Sequence, residues 1–116
     1  MTIVRPTRIN AGAPVLIPPD YAHSTLSLTA SIELACGGPG AGPAPLPELP
    51  PGALAAKRSV VLLIIDGLGR DYLLQTSPGG PLAGNLLCEL GNVCPATTSA
   101  AITSFFTGLA PASHGL

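Results

Sequence analysis

Six consecutive apolar residues, Val60 to Ile65, follow Lys57, Arg58 and Ser59 with no polar position among them. An unbroken β-branched and aliphatic run is the pattern of a strand covered on both faces in a parallel sheet, whereas a half-exposed strand alternates apolar with polar residues. The sequence therefore predicts a buried strand ending at Asp66. Upstream, STLSLTASIELA (Ser24–Ala35) carries Leu26, Leu28, Ile32 and Leu34 on a helical period with Ser24 placed to cap it, which predicts a short helix. Downstream, the apolar clusters Asp71–Leu74 and Leu82–Leu90 are split by SPGGP (Ser77–Pro81), which predicts two short helices rather than one long one. A further helix is predicted over Ala100–Phe106, with Gly108 able to end it in left-handed geometry and Pro111 beyond.

Between these elements the chain is punctuated by residues that favour neither helix nor ladder. Gly37–Ala55 (GGPGAGPAPLPELPPGALA) is more than half Gly and Pro and reads as a linker or surface loop. From Met1 to about His23, Pro6, Pro14, Pro18 and Pro19 each remove a backbone donor and push the preceding residue toward extended geometry, so an extended arm is expected there. The organisation expected is an arm with a short helix and a Pro/Gly-rich linker over residues 1–56, then residues 57–116 opening an α/β parallel-sheet domain, in which ligands gather at the carboxyl ends of the strands.

Composition narrows the function classes. At 116 residues there is room for one modest domain. Charged residues make up 9%, aromatics 3%, and the formal charge is −1, so no basic stripe or stacking set for a nucleic acid is present. The aliphatic run Val60–Ile65 is far shorter than the roughly 20 residues of a spanning helix, so no membrane span is expected. No apolar core of a secretory signal follows Arg5 and Arg8, and a cytoplasmic location is expected. Cys36, Cys88 and Cys94 form no CxxC pair and read as reduced thiols acting as small buried apolar side chains.

Candidate chemistry concentrates at two places. Asp66, in IIDGLG, emerges where the predicted strand ends, either as a functional carboxylate or as a cap for the helix that follows. GLGRDY has Tyr72 where a dinucleotide fingerprint needs its third glycine. The second place is VCPATTSAAITSFFTGLAPASHGL (Val93–Leu116), with six hydroxyl side chains from Thr97 to Thr107. One of them will cap the helix, with Ser99 a candidate. A hydroxyl at a helix start also sits where free N–H groups favour an alkoxide or a phosphate. It is a weak nucleophile without a base or a metal, and His23 and His114 occupy no triad-like position. His114 is expected to hydrogen-bond a loop carbonyl.

Taken together, VVLLIIDGLG and CPATTSAAITSFFTGLAPASHGL resemble the opening of the type I phosphodiesterase/nucleotide pyrophosphatase family of the alkaline phosphatase superfamily. In that family the first core strand ends in an Asp-Gly whose carboxylate binds one of two divalent metals. A later Pro-x-x-Thr/Ser segment supplies the nucleophile, before a helix closing in Thr-Gly-x-x-Pro-x-x-His-Gly. Counting from Pro95, and back from Thr107, Gly108, Pro111, His114 and Gly115, the resemblance places the nucleophile at Thr98, with Thr97 a neighbour that packs or caps.

The resemblance implies a metal-dependent hydrolase of phosphate esters, with Asp66 and Thr98 as ligands of two divalent ions, zinc by expectation, and a small phosphate ester as substrate. It covers Ser59–Leu116, the expected truncated N-terminal part of the catalytic domain. The family's remaining Asp and His ligands follow the His-Gly element, so the 116-residue chain is expected to be inactive alone. The alternative is a non-catalytic remnant or interaction protein retaining the first strands of the fold. Sulfatases and cofactor-independent phosphoglycerate mutases share the Asp and hydroxyl logic but match TGLAPASHG less closely.

Overall fold

The computed structural model describes residues 20–40 and 42–115 and, for the backbone alone, residues 7–8 and 14–15; most of the expected arm lies outside the described residues. The described chain is helical. Thr7–Arg8 (β1) and Pro14–Val15 (β2) pair as a two-residue antiparallel ladder, Thr7 opposite Val15 and Arg8 opposite Pro14. A 3-10 turn over Tyr21–His23 leads into helix α1, Thr25–Ala35. Four shorter elements follow: α2 (Pro51–Ala55), α3 (Arg70–Thr76), α4 (Thr98–Thr107) and α5 (Pro111–His114).

The expected parallel-sheet α/β start is not what forms. Residues 59–65 take no regular secondary structure and belong to no ladder, and among the described residues none of their backbone groups bonds another segment. Val60 to Ile65 are all exposed. The physical reason is that a run of aliphatic side chains specifies a demand for cover, while a sheet also needs neighbouring strands to supply it. The segment nearest to strand form, Gly91–Val93, is already engaged elsewhere. Gly91 bridges Ser24 in parallel, with Thr25 N–H donating to Gly91 O at 2.9 Å and Gly91 N–H to His23 O at 3.1 Å. The predicted helix over Leu82–Leu90 is likewise reduced to a 3-10 turn, Ala83–Asn85, after which Leu86 is extended. Pro81 and Gly84 weaken that stretch as a helix.

Helix α1 forms as its residues predict, and its cap is fully satisfied. Ser24 Oγ accepts from Leu26 N–H at 3.1 Å, while Ser27 Oγ accepts from Ser24 N–H at 2.9 Å, a reciprocal capping box. The buried face is Leu26, Ser27, Ala30 and Ser31, a small and hydroxyl-bearing face, while Leu34 is exposed. Small residues let another segment approach closely, and the segment that does so comes from the Gly/Pro-rich stretch. Leu46 is buried, and its N–H donates to both Ser31 Oγ (2.8 Å) and Ser27 O (3.1 Å). Among the described residues the buried aliphatic side chains are Leu26, Ala30, Leu46, Val93 and Ala100, a thin core between α1, the Leu46 loop and α4.

Charged contacts lie outside that core. His23 Nε2 meets Glu48 Oε1 at 2.9 Å, and this hydrogen bond is the main reason the Glu48 carboxyl is held below its usual value. Arg70 is bound by Glu89 and, at 2.9 Å, by Asp71, which keeps its guanidinium above the ordinary value and fastens α3 to the segment after it. Among the described residues no helix is long and apolar enough to cross a membrane.

All three cysteines are free, but Cys36 and Cys94 are exposed rather than buried and Cys88 is partly covered. Burial, and then the nearby Glu48 charge, push the Cys88 thiol up. Since the thiolate is the reactive form, iodoacetamide at mildly alkaline pH is expected to modify Cys36 and Cys94 several-fold faster than Cys88. Peptide mass spectrometry over time checks this, and equal rates at all three would contradict it.

Candidate functional site

Helix α4 begins where the hydroxyl cluster begins. Thr97 is extended (φ −84°, ψ 153°) and its Oγ1 accepts from Ala100 N–H at 3.4 Å, so Thr97 is the cap and Ser99 lies within the first turn. Thr98 is thereby the first helical residue, and it is exposed. Among the described residues, Thr98 and Ser99 N–H have no acceptor, as expected of the first turn of a helix. The helix ends at Gly108 with φ +68°, the left-handed geometry that glycine adopts at least cost, and Gly108 N–H donates to Ser104 O at 2.9 Å.

Asp66 arrives from the other side. It stands at the end of the aliphatic run, before Gly67 at φ +78°, and is exposed. It does not cap α3, whose cap position is Gly69 without a side-chain hydrogen bond. Instead Thr98 Oγ1 donates to Asp66 Oδ2 at 3.2 Å, across 32 residues of sequence. The two residues singled out from sequence are thus brought together.

They sit at a cavity of about 260 Å³. Its walls are largely apolar, with Leu28 of α1, Ile102 and Phe105 of α4, and the whole stretch Leu62 to Ile65; Thr25, Asn92, Asp66 and Thr98 supply the polar atoms. Asn92 was not singled out from sequence. Its placement follows from Gly91 being tied to the start of α1, a long-range contact without a local signal. No Lys or Arg is among the residues that line the cavity.

Asp66 Oδ and Thr98 Oγ are two donors of the about four a zinc ion requires. No group of three or more His, Cys, Asp or Glu side chains among the described residues could hold a metal ion. Asp66 and Thr98 by themselves are fewer donors than one such ion requires. His114 contributes to structure: its Nε2 lies 3.0 Å from Ser104 Oγ, a buried hydroxyl of α4, and the contact fastens α5 to α4. With Ser104 only 1% exposed, that hydroxyl is closed to substrate.

Comparison of the chain with protein-family models, with curated proteins and with solved structures finds no match.

Proposed function

We propose that the Asp66–Thr98 pair is the reacting end of a phosphate-ester hydrolase, with Thr98 as nucleophile. The observation that carries the reading is the 3.2 Å hydrogen bond from Thr98 Oγ1 to Asp66 Oδ2 beside a cavity. A threonine hydroxyl is activated when a base takes its proton as it attacks, and a carboxylate oxygen already accepting that hydrogen bond is placed to do so. In the step proposed, the Thr98 Oγ1–phosphorus bond forms, the bond to the leaving oxygen breaks, and the Thr98 proton passes to Asp66 and then to the leaving group. Water then attacks the phosphorus, the bond to Thr98 Oγ1 breaks and that oxygen takes up water's proton through Asp66, and phosphate, or the monoester left from a diester, departs. The first-turn N–H groups of Thr98 and Ser99, with the positive end of the α4 dipole, support an anionic group at this place. The aliphatic walls suit an apolar substituent on that ester.

The test is hydrolysis of an aryl phosphodiester, with added zinc and with chelator, by the 116-residue chain and by any natural polypeptide that continues it with further metal donors. Turnover is expected in the longer form and not in the 116-residue chain, whose Asp66 and Thr98 are too few donors to hold the ions that would stabilise the leaving oxygen. It should be abolished by Thr98→Ala and lowered about 10²- to 10⁴-fold by Asp66→Asn, the usual range for a lost general base. Turnover retained by both variants overturns the site.

One observation favours a second reading, a non-catalytic interaction protein: the uncovered run Val60–Ile65.

A further inference from the structure

Residues 59–65 present two unsatisfied features at once. Their backbone N–H and C=O groups bond no other segment among the described residues, so both edges of the segment are open. Their side chains also divide by parity: Val61, Leu63 and Ile65 are 87%, 75% and 47% exposed, against 38%, 44% and 39% for Val60, Leu62 and Ile64. That alternation has the period of a strand, while Leu62 to Ile65 all reach the cavity. An open, uncharged aliphatic edge is a template for another strand.

The charges that bracket the run identify which strand. Lys57 and Arg58 precede it, Asp66 ends it, and nothing charged lies between. A second copy laid antiparallel with Leu62 opposite Leu62 brings Arg58, in the bend before the run, toward Asp66, in the turn after the run of the other copy, just beyond both ends of the ladder. Between them Val60 faces Ile64 and Val61 faces Leu63. A parallel arrangement would instead stack Arg58 on Arg58 and Asp66 on Asp66, and like charges directly opposed are unfavourable. Among the described residues Arg58 makes no ion pair, and Thr98 uses only Oδ2 of Asp66, leaving Oδ1 for an incoming guanidinium.

We infer that the chain self-associates as a two-fold dimer through antiparallel pairing of residues 59–65, with Arg58 and Asp66 facing each other across its ends. The inference does not depend on the chemistry at Thr98, and its readout is association rather than turnover. Sedimentation equilibrium of the full chain over a concentration series is expected to show a reversible dimer. Arg58→Asp, which opposes two carboxylates at each end, should weaken it roughly tenfold. The double variant R58D/D66R, which exchanges the charges, should restore it to within about twofold of the parent, since the same attraction returns with signs reversed. Arg58 and Asp66 are both exposed, so neither change touches the core, and an unchanged helical circular dichroism signal checks folding.

Register is read separately, with Cys36, Cys88 and Cys94 replaced by Ser. Leu62→Cys, lying on the two-fold axis, is expected to oxidise to a covalent dimer in which Val61→Cys does not follow. A monomer at every concentration overturns the inference. So does a dimer indifferent to both charge variants, or one cross-linked equally through positions 61 and 62.

Discussion

Leu46→Ala is expected to abolish the cooperative thermal unfolding transition, or to lower its midpoint by more than any other single truncation among the aliphatic residues. Leu46 is 1% exposed and lies in the Gly/Pro-rich stretch, where it is pressed on the Ser27–Ser31 face of α1. Truncating a buried leucine to alanine costs about 2–5 kcal/mol, the higher values applying where the surroundings cannot close the cavity. Here closure is obstructed. Leu46 N–H is held by Ser27 O and Ser31 Oγ, so the loop cannot settle inward without breaking both bonds. A small domain has only about 5–15 kcal/mol of net stability in total, and among the described residues Leu26 and Val93 are the other large aliphatic side chains that are buried. The control is Leu63→Ala, at a position 75% exposed, which should shift the midpoint little or upward. Circular dichroism melts of both variants decide the matter, and equal effects would show that the Leu46 contact is not the core it is taken for.

Gly108→Val is the second substitution with a large expected effect. At φ +68° a β-branched residue meets its own carbonyl, and left-handed geometry costs an L-residue about 1–2 kcal/mol before any contact is counted. A Cβ at this position would stand 3.7 Å from Glu33 Oε2 and 3.9 Å from Thr29 Cγ2, ordinary contact distances, so the backbone geometry carries the penalty. Unwinding the last turn of α4 relieves it, and that turn carries Ser104 and its contact with His114. A loss of helical signal together with a destabilisation of about 2 kcal/mol is expected in urea melts. Gly108→Asn, which tolerates the left-handed region, should recover part of it. A valine variant as stable as the parent would mean that the cap is not fixed.

These two positions mark what can and cannot be read from sequence. Gly108 was legible because a helix end is decided locally, by a residue able to adopt positive φ, followed shortly by proline. The Ser24 cap of α1 was legible for the same reason. Leu46 was not. Gly and Pro around it correctly indicate a loop, but not that one leucine of that loop plugs a helix face. Ser27, Ser31 and Ser104 were missed as interior residues because a hydroxyl reads as polar until its partner is known, and each partner here is fixed by the fold.

Val60–Ile65 failed in the opposite direction: hydrophobicity was read as burial, when burial requires strands elsewhere. The Asp66–Thr98 juxtaposition lies between these cases. Neither residue announces the other, and the pairing came from resemblance of two separated motifs; the contact joins them, while their chemistry rests with the proposed experiments.

The aliphatic run has a thermodynamic consequence for whatever enters the cavity. Thr98 is held by a capped helix, but Asp66 hangs on a segment with no backbone hydrogen bonds of its own among the described residues. A ligand bridging the two must immobilise that segment, and ordering backbone costs about 1–2 kcal/mol per residue fixed. Its measured affinity will therefore understate the quality of its contacts, and anything that orders residues 60–65 beforehand will tighten binding without touching the ligand.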